Sequence, residues 1–215
     1  MLVYPATLSA ANQSKGWYSS NQYKFQKNKD MVRYTIPAIV LHWLIALLII
    51  GTFTLGLVMT DIPGITPTKL KYFNWHKWAG VTVLLLAALR LLWRLFRHPP
   101  AYADAMPAWQ RGASHGLHWL LYILMFAVPL SGYFYSLATG YPIVWFGVIE
   151  LPVLMGPDPA LKVILKDVHY WLNMLLALLV GLHVAAAFKH LLVDRDGVMA
   201  RMLPRLGPTS TRKES

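Results

Sequence analysis

Four stretches of this chain, approximately 38–60, 77–97, 115–137 and 169–192, stay apolar long enough to cross a hydrocarbon core as helices. Little else can be made of them, because lipid offers no partner for a bare peptide group and a helix satisfies its own. Of the 215 residues, 56% are hydrophobic and only 13% charged, too apolar a mixture for an ordinary soluble domain. The expected fold class is therefore an all-α membrane protein, a four-transmembrane-helix bundle filling the chain from residue 38 onward. No room is left for a separate soluble domain.

The net charge of +11 raises the question of nucleic acid, and the placement of the charges answers it. Lys15, Lys24, Lys27, Lys29 and Arg33 precede the first span; Arg90, Arg94, Arg97 and Arg111 surround the second connection. Lys189, Arg195, Arg201, Arg205, Arg212 and Lys213 follow the last span, whereas the first and third connections hold only Lys69, Lys71, Lys77, Lys162 and Lys166. Fifteen against five is a positive-inside asymmetry that puts both termini and the middle connection in the cytoplasm. It fits a membrane topology, and no nucleic-acid partner is expected. Eight of the nine tryptophans fall near span ends or in a connection, where an aromatic belt belongs.

Residues 1–32 read as a polar N-terminal extension without apolar periodicity, expected to be disordered or to reflect an upstream choice of start site. It has no continuous apolar core ahead of a cleavage site, so it does not read as a signal peptide. Residues 33–205 form the transmembrane domain and 206–215 a basic tail. Pro37 suits the first turn of helix one, TDIPGITPT ends it, and Pro129 lies near the middle of helix three. Residues 142–156, PIVWFGVIELPVLMG, are too apolar for a free loop and too short to span. They are expected at the outer interface as a short amphipathic or re-entrant piece covering a buried site.

Histidines carry the chemistry. In HYWLNMLLALLVGLH, His169 and His183 are fourteen residues apart, about 3.9 turns and roughly 21 Å along one face of one helix. An imidazole within a bilayer is costly and by default marks a function. On the expected topology His42 begins helix one at the inner side, His76 opens helix two at the outer side, His169 is outer and His183 inner. Depth pairs His42 with His183 and His76 with His169, and bundle cores build cofactor sites from facing side chains in this way. A b-type haem at each level is the cofactor arrangement that most naturally uses two such pairs. With both axial positions filled, such a haem passes electrons and does not bind a reactant at iron. Zinc would want its ligands converging on one point. The absence of cysteine excludes thiolate-held clusters and covalent haem attachment, so two haem b would be held non-covalently.

His115 and His118 sit at the inner start of helix three, where one can compete with His42 as ligand or bond a propionate. His98 and His190 read as loop and helix-end residues. Arg90 and Arg94 share one face of helix two and can pair haem propionates or snorkel to headgroups. Gly51, Gly56, Gly80 and Gly181 can admit a flat cofactor face or simply close helix packing.

LHWLIAL in helix one, HKWAG and LRLLWRL at the two ends of helix two, SHGLHWLLYILMFAVPLSG, GYPIVWFG, HYWLNMLLALLVGLHVAAAFKH and ARMLPR occur in this order. In these segments the chain from about 33 to 205 resembles the bacterial cytochrome b561 family, the four-helix, two-haem kind. That family in turn resembles the haem-b subunits of membrane hydrogenases and formate dehydrogenases. The resemblance implies ligation by His42, His76, His169 and His183 and a place in a bacterial inner membrane. The N-terminal extension is about thirty residues longer than the family leads one to expect.

For function, the resemblance implies oxidation of superoxide with delivery of electrons to ubiquinone. Superoxide is an anion, and Lys77 and Lys166 flank the outer histidines in sequence, where they can steer it. Asp61, Glu150, Asp158 and Asp167 nearly balance the outer lysines, so steering needs local clustering. Interface anchoring is the alternative role for these lysines. A second reading is a haem-b electron-transfer subunit that docks a dehydrogenase or hydrogenase partner and feeds quinone. A third is a transporter or structural membrane protein whose histidines hold no haem. Besides lipid, the partners expected are ubiquinone and superoxide.

Overall fold

The computed structural model describes residues 33–97, 100 and 107–203, all but Arg33 within one contact unit, Tyr34–Ser215. The extension (1–32), the tail (206–215) and His98 lie outside the described residues. Four long helices make the fold: α1 (Ile36–Asp61), α2 (Pro67–Phe96), α3 (Ala108–Ala138) and α4 (Pro159–Lys189). At 26 to 31 residues each they exceed the roughly 20 needed to span.

Their starts follow from local chemistry. Proline occupies the first turn of α1, α2 and α4, where its missing N–H costs nothing. Thr66 caps α2 by accepting from the Lys69 N–H, and Asp158 caps α4 by accepting from Ala160 and Leu161. These caps lie upstream of the apolar spans read from the sequence. Helices α2 and α4 each begin about ten residues earlier, because PTKLKYFNW and PALKVILKD are helical without being apolar enough to read as membrane. His76 and His169 therefore sit well inside their helices instead of opening them. Helix α4 runs on through a π turn, His190–Asp194, ended by Arg195 in the left-handed conformation.

For residues 142–156 the structure supplies a detail that the sequence reading left open. They hold a small antiparallel hairpin, β1 (Val144–Trp145) and β2 (Ile149–Glu150). Phe146 (φ 51) and Gly147 (φ 73), in the three-residue connection 146–148, both take left-handed backbone. The hairpin is tied to α2: the Trp78 indole donates to the Val144 carbonyl (2.7 Å), and the Trp145 indole to the Trp78 carbonyl (3.3 Å). It marks one end of the bundle, the hairpin end. Arg90 and Arg94 mark the other, the arginine end.

One buried cluster is Ile45, Ala87, Tyr122 and Met125, drawn from α1, α2 and α3, and Leu176 of α4 is buried as well. Close packing joins α1 to α2, α2 to α3 and α3 to α4, while α4 stands off from α1 and α2. Outward, long apolar side chains such as Leu47, Ile50, Leu89, Ile123, Leu178 and Leu182 are exposed on all four helices, a surface fit for lipid. At the arginine end the chain after α4 folds back: the Trp43 indole donates to the Met202 carbonyl (2.8 Å).

Candidate functional site

The two gaps beside α4 are where the histidines meet. His42 (α1) faces His183 (α4) with ring centroids 6.1 Å apart, and His76 (α2) faces His169 (α4) at the same 6.1 Å. The rings are nearly perpendicular, at 74° and 84°. A metal–nitrogen bond of about 2 Å on each side of one ion sets imidazole centroids roughly 6 Å apart. Both separations meet that requirement. A third ring, His118 on α3, stands 5.3 Å from His183, too near for the same bridging geometry.

Hydrogen bonds fix the tautomers at the hairpin end. His76 Nδ1 lies 3.1 Å from the Thr52 carbonyl, and His169 Nδ1 lies 3.2 Å from the Val128 carbonyl and 2.9 Å from Ser131 Oγ. A carbonyl only accepts, so each Nδ1 carries the proton and each Nε2 keeps its lone pair. This is how a metal-binding histidine is usually oriented. His118 likewise donates from Nδ1, to its own helix at Ser114 O (2.6 Å). His42 and His183 have no hydrogen-bonding partner among the described residues.

Two glycines press on the hairpin-end rings. A Cβ on Gly56 would sit 3.2 Å from His76 Cε1, and one on Gly132 would sit 2.9 Å from His169 Cε1. A Cβ on Gly80 or Gly181 would meet nothing within 4 Å, and both residues line a cavity of about 790 Å³ that also contains His76, His169 and Asn173. The volume is that of a site for a sizeable organic ligand.

Charge is distributed unevenly around the two levels. Arg90 and Arg94 both lie 5.5 Å from the ring of buried Tyr122, half-buried beside the His42–His183 pair. Arg90 is close enough to act electrostatically on His42, His118 and His183. At the hairpin end Lys69, Lys77 and Lys162 line the cavity. Lys77 reaches the Tyr141 carbonyl (3.4 Å) and Lys69 the Ile62 carbonyl (2.7 Å). Lys166 is exposed and outside the lining, so only one of the two lysines singled out from sequence faces the cavity. His115 is exposed and accepts from the Trp119 indole (3.0 Å); His190 is held by Asp194 and Asp196.

Residues 33–205 match the family model of prokaryotic cytochrome b561. The chain belongs to the prokaryotic cytochrome b561 family. Cytochrome b561 homolog 2 of Escherichia coli (strain K12) is 32% identical over 171 residues, 80% of this chain and 91% of that protein. Cytochrome b561 homolog 1 of the same organism is 29% identical over 176 residues, 81% of this chain and 99% of its own length. A protein of Yersinia pestis named probable superoxide oxidase CybB is 29% identical over 178 residues, covering 80% and 97%.

Membership makes this a multi-pass membrane electron-transfer protein and implies that it binds haem b. The residues present suit that group. Without cysteine a thiolate cannot hold haem here, and imidazoles stand in facing pairs at a bridging separation. Apolar walls, glycines without side chains and nearby cations match a flat macrocycle with carboxylate arms. Ser131, Gly132 and the Val128 carbonyl escaped the sequence reading, since nothing in α3 alone shows that they touch a ring on α4.

Proposed function

We propose that His42 with His183, and His76 with His169, are the axial pairs of two haem b groups, and that the protein oxidises superoxide and reduces ubiquinone. The equal 6.1 Å separation of the two pairs carries the reading. Haem held there would supply reversible one-electron chemistry. The chain's own residues do the rest. Nε2 of His76 and His169 faces the site because Nδ1 is already engaged. Arg90 and Arg94 hold carboxylates at the arginine end. Lys77, with Lys69 and Lys162 beside it, gives the cavity a positive field that draws an anion toward the hairpin end, while Lys166 adds to that field from the surface.

The balance is simple. Two superoxide anions each lose one electron and leave as dioxygen, and one quinone takes up two electrons and two protons. The basic residues at the arginine end argue for both termini in the cytoplasm of a bacterial inner membrane, with the hairpin end in the periplasm. Exposed Ile50, Ile65 and Leu70 form part of the cavity lining and offer a lipid-soluble quinone a lateral approach. The Yersinia relative's name supports superoxide as donor.

Anaerobic stopped-flow absorbance of the purified chain mixed with superoxide, with and without ubiquinone, tests this. Rapid haem reduction followed by quinone-dependent reoxidation is expected. Haems left oxidised by superoxide would overturn the enzyme reading in favour of a subunit fed by a dehydrogenase or hydrogenase. The exposed apolar hairpin, with Phe146 57% and Val148 83% accessible, offers such a partner a surface.

A further inference from the structure

The two hairpin-end histidines are held by the same device, used twice. In α1 the carbonyl of Thr52 accepts from His76, and the glycine four residues on, Gly56, packs against that ring. In α3 the carbonyl of Val128 accepts from His169, and the glycine four residues on is Gly132. In each case the preceding helix holds a histidine of the following one. The four-residue interval has a cause. In an α-helix the carbonyl of residue i already accepts from the N–H of residue i+4, and its second lone pair points out past the side chain of that residue. An imidazole from a neighbouring helix lies flat against this position most closely where residue i+4 has no Cβ. At Gly132 the clearance is the tighter, 2.9 Å to Cε1. Real Cβ atoms essentially never approach a neighbour under 3.0 Å.

Ser131 completes the second clamp. Its hydroxyl donates to the Val128 carbonyl (2.7 Å), which directs an oxygen lone pair at His169 Nδ1 (2.9 Å). The serine is buried, 8% exposed, so water does not compete for the bond. His42 and His183 have no equivalent, and a Cβ on Gly181, two residues before His183, would meet nothing.

We propose that Gly56, Gly132 and Ser131 are positioning residues that lock the hairpin-end imidazoles, so that this site is preformed and the arginine-end site takes its shape on loading. The inference rests on the bis-imidazole reading above. A clamped Nδ1–H also makes the ring a stronger donor at Nε2 and favours the oxidised metal. Loss of one acceptor raises the potential.

The test uses full-length protein in detergent, with haem counted by pyridine haemochrome and midpoints taken from a redox titration. Gly132→Ala should lose one haem of two, while Gly51→Ala, whose Cβ would meet nothing, should keep both. Ser131→Ala should keep both haems and raise one midpoint only, and Ser131→Thr should restore it. Should Gly132→Ala fail to reach the membrane, Ser131→Ala decides alone. Midpoints that stay put or fall in Ser131→Ala, or two haems in Gly132→Ala, overturn the clamp. Fewer than two haems in the unaltered protein overturns the underlying reading, and the clamp with it.

Discussion

Trp78 and Trp145 hold each other in place reciprocally. The indole of Trp78 donates to the carbonyl of Val144, beside Trp145, and the indole of Trp145 donates back to the carbonyl of Trp78. Two side chains thus fasten the hairpin over the second helix through main-chain acceptors that no substitution removes. Trp78→Phe keeps the aromatic bulk and removes one donor, and should cost about 1 kcal/mol of local stability. Faster amide exchange confined to residues around 144–151 is the expected result, and unchanged protection there counts against the latch.

Single histidine replacements separate the two levels. His76→Ala and His169→Ala should each reduce the haem content from two to one and leave the same remaining spectrum. His42→Ala and His183→Ala should leave the complementary spectrum. His118→Ala should keep both, since its ring is too close to His183 to bridge an iron with it. Loss of a haem in His118→Ala together with its retention in His42→Ala would show that His118, not His42, is the ligand.

Charge reversal tests steering. Lys77→Glu combined with Lys166→Glu should slow haem reduction by superoxide several-fold or more, and added salt should slow the unaltered protein. Lys162→Glu should have the larger effect than Lys166→Glu, because Lys162 lines the cavity and Lys166 does not. Equal rates for all variants would remove any role for the positive field.

Arg90→Gln removes a half-buried cation beside the His42–His183 pair. A nearby positive charge favours the reduced, less positive metal, so its loss should lower one midpoint and leave the other. A redox titration checks this, and a shift in both midpoints would mean a general rather than local effect. Arg94→Gln, a turn further from the pair along α2, should act in the same direction and more weakly.

Much of this was legible in the sequence for a physical reason. Lipid forces long apolar helices, and their alternation assigns each histidine a depth, so His76 meets His169 and His42 meets His183 as depth alone requires. Depth says nothing about what lies sideways. Of the glycines singled out from sequence, Gly56 touches a histidine ring, Gly80 and Gly181 border open space, and Gly51 meets nothing. Gly132 was invisible because its meaning depends on a residue in another helix. The hairpin was missed because its turn begins with Phe146, a residue that seldom adopts left-handed backbone. The early starts of α2 and α4 were missed because Lys69, Lys71, Lys162 and Lys166 mask helices that project beyond the apolar core.

Three helices share one buried cluster, and the fourth packs chiefly along α3. Whatever fills the gaps beside α4 joins it to α1 and α2, which it otherwise meets chiefly through α3. A ligand that binds only the folded chain stabilises it in proportion to its own supply. Cofactor delivery then becomes a step in biogenesis: in a cell starved of haem the polypeptide should be cleared by membrane proteases before it can accumulate idle.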